Sequence, residues 1–182
     1  MRPLQSIAMG LVVIGLRADL AGYDLLPDPL GWVLVLAGVA AVTLPAARRT
    51  ALLATALLAA LVSVPLWLPG AVDRLDVVHP SLVWAANLPQ LGFTVLLCLT
   101  LANEAAESGD RHAVAWLRTT ASIFVVVALL PVVVFGGGVA SLEVPSYLAA
   151  TLALLLLVWL LFTYARRPWV VPAEPPQSLR ST

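Results

Sequence analysis

Apolar runs near the length of a bilayer crossing recur from one end of this 182-residue chain to the other. A hydrocarbon core of about 30 Å needs about 20 apolar residues in a helix. Repeated runs of that length leave no stretch long enough for a soluble domain. The chain is 61% hydrophobic and 11% charged, against about 45 to 50% and about 25% in ordinary soluble domains. A soluble fold has no place to hide so much apolar surface. The expectation is one all-α domain, a polytopic transmembrane bundle of about six helices over residues 1–168, followed by a Pro-rich, disordered tail at 169–182.

Punctuation along the chain sets the expected helices. Leu4 to Leu16 is apolar and continues through Arg17 to about Gly22. The run before Arg17 is short enough to raise a signal peptide as a rival. Arg17 and Asp19 stand where small cleavage-site residues belong, which favours a retained helix. Asp28-Pro29 pairs an N-capping residue with a proline suited to a first turn, and opens a second helix to about Leu44. Further helices are predicted over about Ala51–Leu68, from Asn87-Leu88-Pro89 to Leu101, over Thr119–Phe135 up to Gly136-Gly137-Gly138, and over Pro145–Tyr164.

Charge placement orients this map. The formal net charge is zero, with 10 basic and 10 acidic residues, which gives no argument for a nucleic-acid partner. With an internal N-terminus, Arg2, Arg48, Arg49, Arg111, Arg118, Arg166, Arg167 and Arg180 fall inside, and only Arg17 and Arg74 outside. Short Arg-rich loops stay cytoplasmic, so both termini are expected there. Trp and Tyr cluster near both predicted boundaries, as interfacial belts do. Every basic residue is Arg, a composition habit of GC-rich bacterial genomes, and the membrane expected is the bacterial cytoplasmic (inner) one.

A repeat is visible at low resolution. Leu26-Pro27-Asp28-Pro29-Leu30-Gly31-Trp32 opens the second helix and Leu88-Pro89-Gln90-Leu91-Gly92-Phe93 the fourth, each after an Arg-x-Asp triplet (Arg17-Ala18-Asp19, Arg74-Leu75-Asp76). Pro145-Ser146-Tyr147-Leu148 echoes them. Three helical hairpins at a period of about 60 residues would produce this pattern. The Leu-Pro-Asp-Pro-Leu-Gly-Trp turn also resembles one in a family of uncharacterised, actinobacterial-type multi-spanning membrane proteins. The resemblance covers about the first two helices, implies a membrane bundle, and brings no activity, substrate or cofactor.

The residues able to carry chemistry lie in the two predicted outer loops. Arg17, Asp19, Asp24 and Asp28 form one group. Carboxylates held close together raise each other's pKa and attract cations. Helix capping by Asp28, turn formation by Asp24 and ion pairing by Arg17 explain the same residues structurally. Asp73, Asp76 and His79 form the other group, at a spacing of three that a helical loop would align for a divalent metal. A solvated interfacial loop with an Arg74 ion pair is the simpler reading of these residues. Cys98 is the only cysteine and reads as a buried or lipid-facing hydrophobe, so no intrachain disulfide or thiolate cluster forms.

No catalytic motif is present, and no charge stands near the middle of any predicted helix. Gln90, Thr94 and Thr100 are polar side chains of the fourth helix suited to interhelical hydrogen bonds. Ala37 with Ala41, Ala56 with Ala60 and Ala149 with Ala153 have the spacing of close helix contacts. Three functions compete on this basis. They are a non-catalytic binding, scaffold or accessory subunit, a small-solute or cation transporter using the acidic mouth, and a metal-dependent interfacial enzyme. No cofactor is expected. The partners expected are the lipid bilayer and either another membrane protein or further copies of the chain.

Overall fold

The computed structural model describes residues 2–16, 28–66, 70, 77, 80–137 and 143–170, with the backbone of 19–20 and 23–24. Six helices account for nearly all of them: α1 (Pro3–Gly15), α2 (Asp28–Ala41), α3 (Ala46–Leu66), α4 (Pro80–Glu107), α5 (Arg111–Gly137) and α6 (Glu143–Tyr164). Between α1 and α2, β1 (Asp19–Leu20) and β2 (Tyr23–Asp24) pair antiparallel, with Asp19 opposite Asp24 and Leu20 opposite Tyr23. The class is the expected all-α transmembrane bundle.

Each helix packs against its neighbours in sequence, and α6 closes the ring against α1. The interior is filled by apolar side chains, among them Leu4, Ile7, Leu11, Trp32, Phe93, Leu97, Leu101, Leu157 and Leu161. Trp32 and Phe93 meet inside the ring edge to face, with centroids 5.5 Å apart at 78°, a favoured aromatic geometry. Leu57, Leu58, Leu61, Val126, Leu129, Leu152, Leu155 and Trp159 point outward and are exposed. That outward layer is the lipid-facing surface of a membrane bundle.

Four helices, α3 to α6, are long and apolar enough to cross a membrane. The first two are shorter than the sequence pattern suggested, at 13 and 14 residues, or about 20 Å each at 1.5 Å per residue. Their pairing is unusually close. A Cβ on Gly10 would lie 2.5 Å from the Gly31 carbonyl oxygen, and one on Gly38 would lie 2.8 Å from that of Pro3. Glycine is what allows the two backbones to touch. Ser6 Oγ adds a hydrogen bond to the Leu34 carbonyl across the same seam, at 2.9 Å. The alanine pair singled out on α2 is not the contact surface: Ala37 and Ala41 are exposed.

The helix starts also move. The α4 helix begins at Pro80, so Pro89 lies inside it, as Pro65 and Pro131 lie inside α3 and α5. A proline removes one helical hydrogen bond, which neighbouring membrane helices tolerate. The α5 helix begins at Arg111 because Asp110 caps it, its Oδ1 accepting from the Ala113 N–H at 3.1 Å. Past α6 the chain stays packed to Val170, which is buried, and the Trp169 ring lies 5.8 Å from that of Tyr164.

Candidate functional site

The depth at which the α1–α2 hairpin ends is the feature that the apolar pattern concealed. Gly15, the last residue of α1, abuts Leu154 of α6: a Cβ there would lie 2.6 Å from Leu154 Cδ2. Leu154 is near the middle of α6, so α1 stops about 16 Å short of the Glu143 end of that helix. The partner helix gives the same level. Trp32 contacts Phe93 at the middle of α4, and Asp28 stands one helical turn further out, about 6 Å. Asp28 therefore heads α2 at a level well short of the Pro80 end of α4 and the Glu143 end of α6, where the sequence placed it at the outer mouth.

Two principles make that position notable. An ionisable residue at bilayer depth is costly and is usually tied to function. Non-helical backbone at that depth is tolerated only where protein buries it or a water-filled cavity bathes it. Asp28 is half-buried and does have an interaction partner. Asp19 and Asp24 are brought opposite each other by the β1–β2 register. Arg17, Asp73, Asp76 and His79 lie outside the described residues, so the second candidate group is not placed. Among the described residues no three His, Cys, Asp or Glu side chains gather as a metal site.

The other polar region is the opposite end of the bundle, and sequence reasoning missed its pairing. Arg48 at the start of α3 reaches two carboxylates of α4, with Nη1 at 2.6 Å from Glu104 and Nη2 at 3.0 Å from Glu107. Arg167 Nε lies 3.7 Å from Asp110 Oδ2, tying the chain beyond α6 to the α4–α5 turn. The Asp110 carboxyl is held below the usual carboxylate range, first by the Ala113 N–H and also by the nearby Arg167 charge. The signal available in the sequence was the gathering of Arg48, Glu104, Glu107, Asp110 and Arg167 on one predicted face. Which arginine met which acid depended on the ring order.

Between these ends the described interior is filled mainly by apolar side chains. Four polar side chains are buried there, Ser63, Thr94, Thr100 and Thr120. Ser63 donates to the Ala60 carbonyl, Thr94 to Leu91 and Thr120 to Trp116, each at 2.8 Å and within its own helix. Thr94 thus satisfies itself locally instead of bridging helices. The bond that joins α4 to α5 is Trp84 Nε1 to the Ala128 carbonyl, at 3.0 Å. Two cavities, of about 350 and 260 Å³, open on the lateral faces beside α5 and are lined almost wholly by apolar side chains.

No protein family, curated protein or solved structure matches this chain. What the geometry establishes is a helical bundle with four membrane-span-length helices, that is, a multi-pass membrane protein.

Proposed function

We propose that the chain is a non-catalytic subunit of the bacterial cytoplasmic membrane, with both termini cytoplasmic, which acts by binding a membrane partner as a scaffold or accessory protein. The observation that supports it is the interior of the ring, filled mainly by apolar side chains, set against a broad exposed apolar exterior. Hydroxyls that could line a solute path are spent on carbonyls of their own helices. The Arg-rich end formed by the starts of α3 and α5 and the ends of α4 and α6 supports the orientation. Purification from native membranes in mild detergent tests the proposal. A stoichiometric protein partner that co-elutes, and whose assembly fails in a deletion strain, is expected. A chain that elutes alone from a strain without any assembly defect would overturn it.

One observation favours a second reading, a small-solute or cation transporter. Asp28 heads a helix of 14 residues about one turn from the middle of α4, and a carboxylate at the head of a half-length helix is the arrangement that broken helices give to transport sites. Proteoliposome flux tests it. A wild-type flux lost on Asp28→Asn is the expected result, and no flux, or flux indifferent to that change, removes the reading.

A further inference from the structure

We propose that the groove between α5 and α6 is a binding site for one anionic phospholipid of the inner leaflet, its acyl chain in the groove and its phosphate held by Arg111 and Arg118. The groove has a volume of about 260 Å³ and is lined by Ile123, Val126, Val127 and Leu130 of α5 and Ala149 of α6, with Thr119 and Ser122 at its foot. Its lining surface is apolar throughout, and it runs down α5 to Thr119, beside Arg118 at the Arg-rich end of the bundle. That is the order of groups in a phospholipid read from tail to head.

Charge at the foot decides the chemistry of the head. Arg118 immediately precedes Thr119 and is exposed, and its carbonyl accepts from Ser122 Oγ at 3.1 Å. Arg111 stands two turns earlier on the same stripe of α5, also exposed. Neither takes part in an ion pair among the described residues, whereas Arg48 and Arg167 do. Long arginine side chains near a helix end reach the headgroup level while their stems cover apolar surface. Trp116, exposed beside them, donates from Nε1 to His112 Nε2 at 3.0 Å, which sets an interfacial aromatic at the same height.

The groove on the other side of α5 supplies an internal contrast. It is larger, at about 350 Å³, and is lined by Leu88, Leu91, Val95, Leu99 and Leu129 among others. The α4 stripe below Leu99 leads to Asn103 and Glu107, and Glu107 is already paired with Arg48. An acyl chain fits that groove too, but a phosphate at its foot would meet a carboxylate. The α5–α6 side also has a paired carboxylate, Asp110 with Arg167, so it is Arg111 and Arg118, which take part in no ion pair among the described residues, that assign the anionic lipid to that side.

Native mass spectrometry of the full chain in detergent, titrated with dioleoyl phosphatidylglycerol or with dioleoyl phosphatidylcholine, tests the assignment. The two lipids share acyl chains, so their difference reports the head. Each arginine near a phosphate is expected to contribute about five-fold to the preference for the anionic lipid. Arg111→Gln with Arg118→Gln brings the two lipids close to parity, and Arg49→Gln on α3 leaves the preference intact. Val126→Trp, which fills the groove, lowers retention of both lipids while the variant elutes and stays helical like the parent. No preference in the parent chain, or a preference that survives the double substitution, overturns the proposal. Displacement of the lipid by millimolar glycerophosphoglycerol, which lacks acyl chains, would mean a phosphate site alone and overturn the groove.

Discussion

The α1–α2 hairpin and the α4–α5 hairpin solve the same packing problem in opposite ways. The first is short and knit at the backbone, with Gly10, Gly31 and Gly38 each leaving no room for a methyl group. The second is long, at 28 and 27 residues, and loose enough that a Cβ on Gly92 would meet nothing within 4 Å. In a bilayer, burying apolar surface between helices gains little, because lipid tails are as apolar as leucine. Stability then follows close contact and polar links. The short hairpin is in backbone contact along its seam, while the long one packs through side chains such as Leu97, Leu101, Leu117 and Phe124 and adds the Trp84–Ala128 hydrogen bond and the Asp110 cap.

The sharpest way to break this contrast is Gly10→Val. Its Cβ would sit 2.5 Å from the Gly31 carbonyl oxygen and 2.7 Å from Val35 Cγ2. A backbone oxygen cannot step aside as a flexible side chain can, so the hairpin must open. Overpacking of this kind costs about 3 kcal/mol, sometimes more. Thermal unfolding of the purified protein in detergent should show a large loss, and an unchanged midpoint would mean that α1 and α2 do not touch as described.

Trp32→Ala comes next. It removes the ring that ties the short hairpin to the long one through Phe93. The cavity term persists in lipid although the transfer term largely does not, so the expected loss is about 2 to 3 kcal/mol. Trp32→Phe should recover most of it. Gly92→Ala should do the reverse of Gly10→Val: with open space around it, alanine gains up to about 1 kcal/mol of helix propensity. Destabilisation by Gly92→Ala would show that the α4–α5 groove is occupied in the native protein.

How legible was this in the sequence? The number of helices and their class followed from run length and punctuation, because hydropathy and Pro or Gly breaks report directly on burial. The depth of α1 and α2 did not. Residues such as Leu20 and Ala21 are as apolar as a helix interior, so they carried the predicted helix past Gly15. The short run before Arg17 was noticed and set against a signal peptide, when its physical meaning was a half-length helix. The glycines at 10, 31 and 38 escaped too, because the spacing examined was four, while those on α2 recur at seven. The start of α5 lies eight residues before the predicted Thr119, and its signal in the sequence is Asp110, an N-capping residue one position before Arg111.

That cap yields the last and smallest test. The Ala113 N–H and the Arg167 charge favour the ionised Asp110 carboxylate, so its pKa in the folded chain lies below the unfolded value of about 3.9. A group lowered by folding contributes stability in full above its unfolded pKa, and loses it as the pH falls through the folded one. Wild-type protein should therefore lose this contribution only below about pH 4. Asp110→Asn keeps an acceptor for the Ala113 N–H and gives up the charge on Arg167. At neutral pH the variant should unfold slightly below wild type, and acidification should narrow the gap as the wild-type carboxylate takes up its proton. Other carboxylates titrate in the same range, but they do so in both proteins and cancel in the difference. A gap that stays constant from neutral pH to well below pH 4 would mean that Asp110 holds α5 through geometry alone, and that the inner end of the long hairpin owes nothing to its charge.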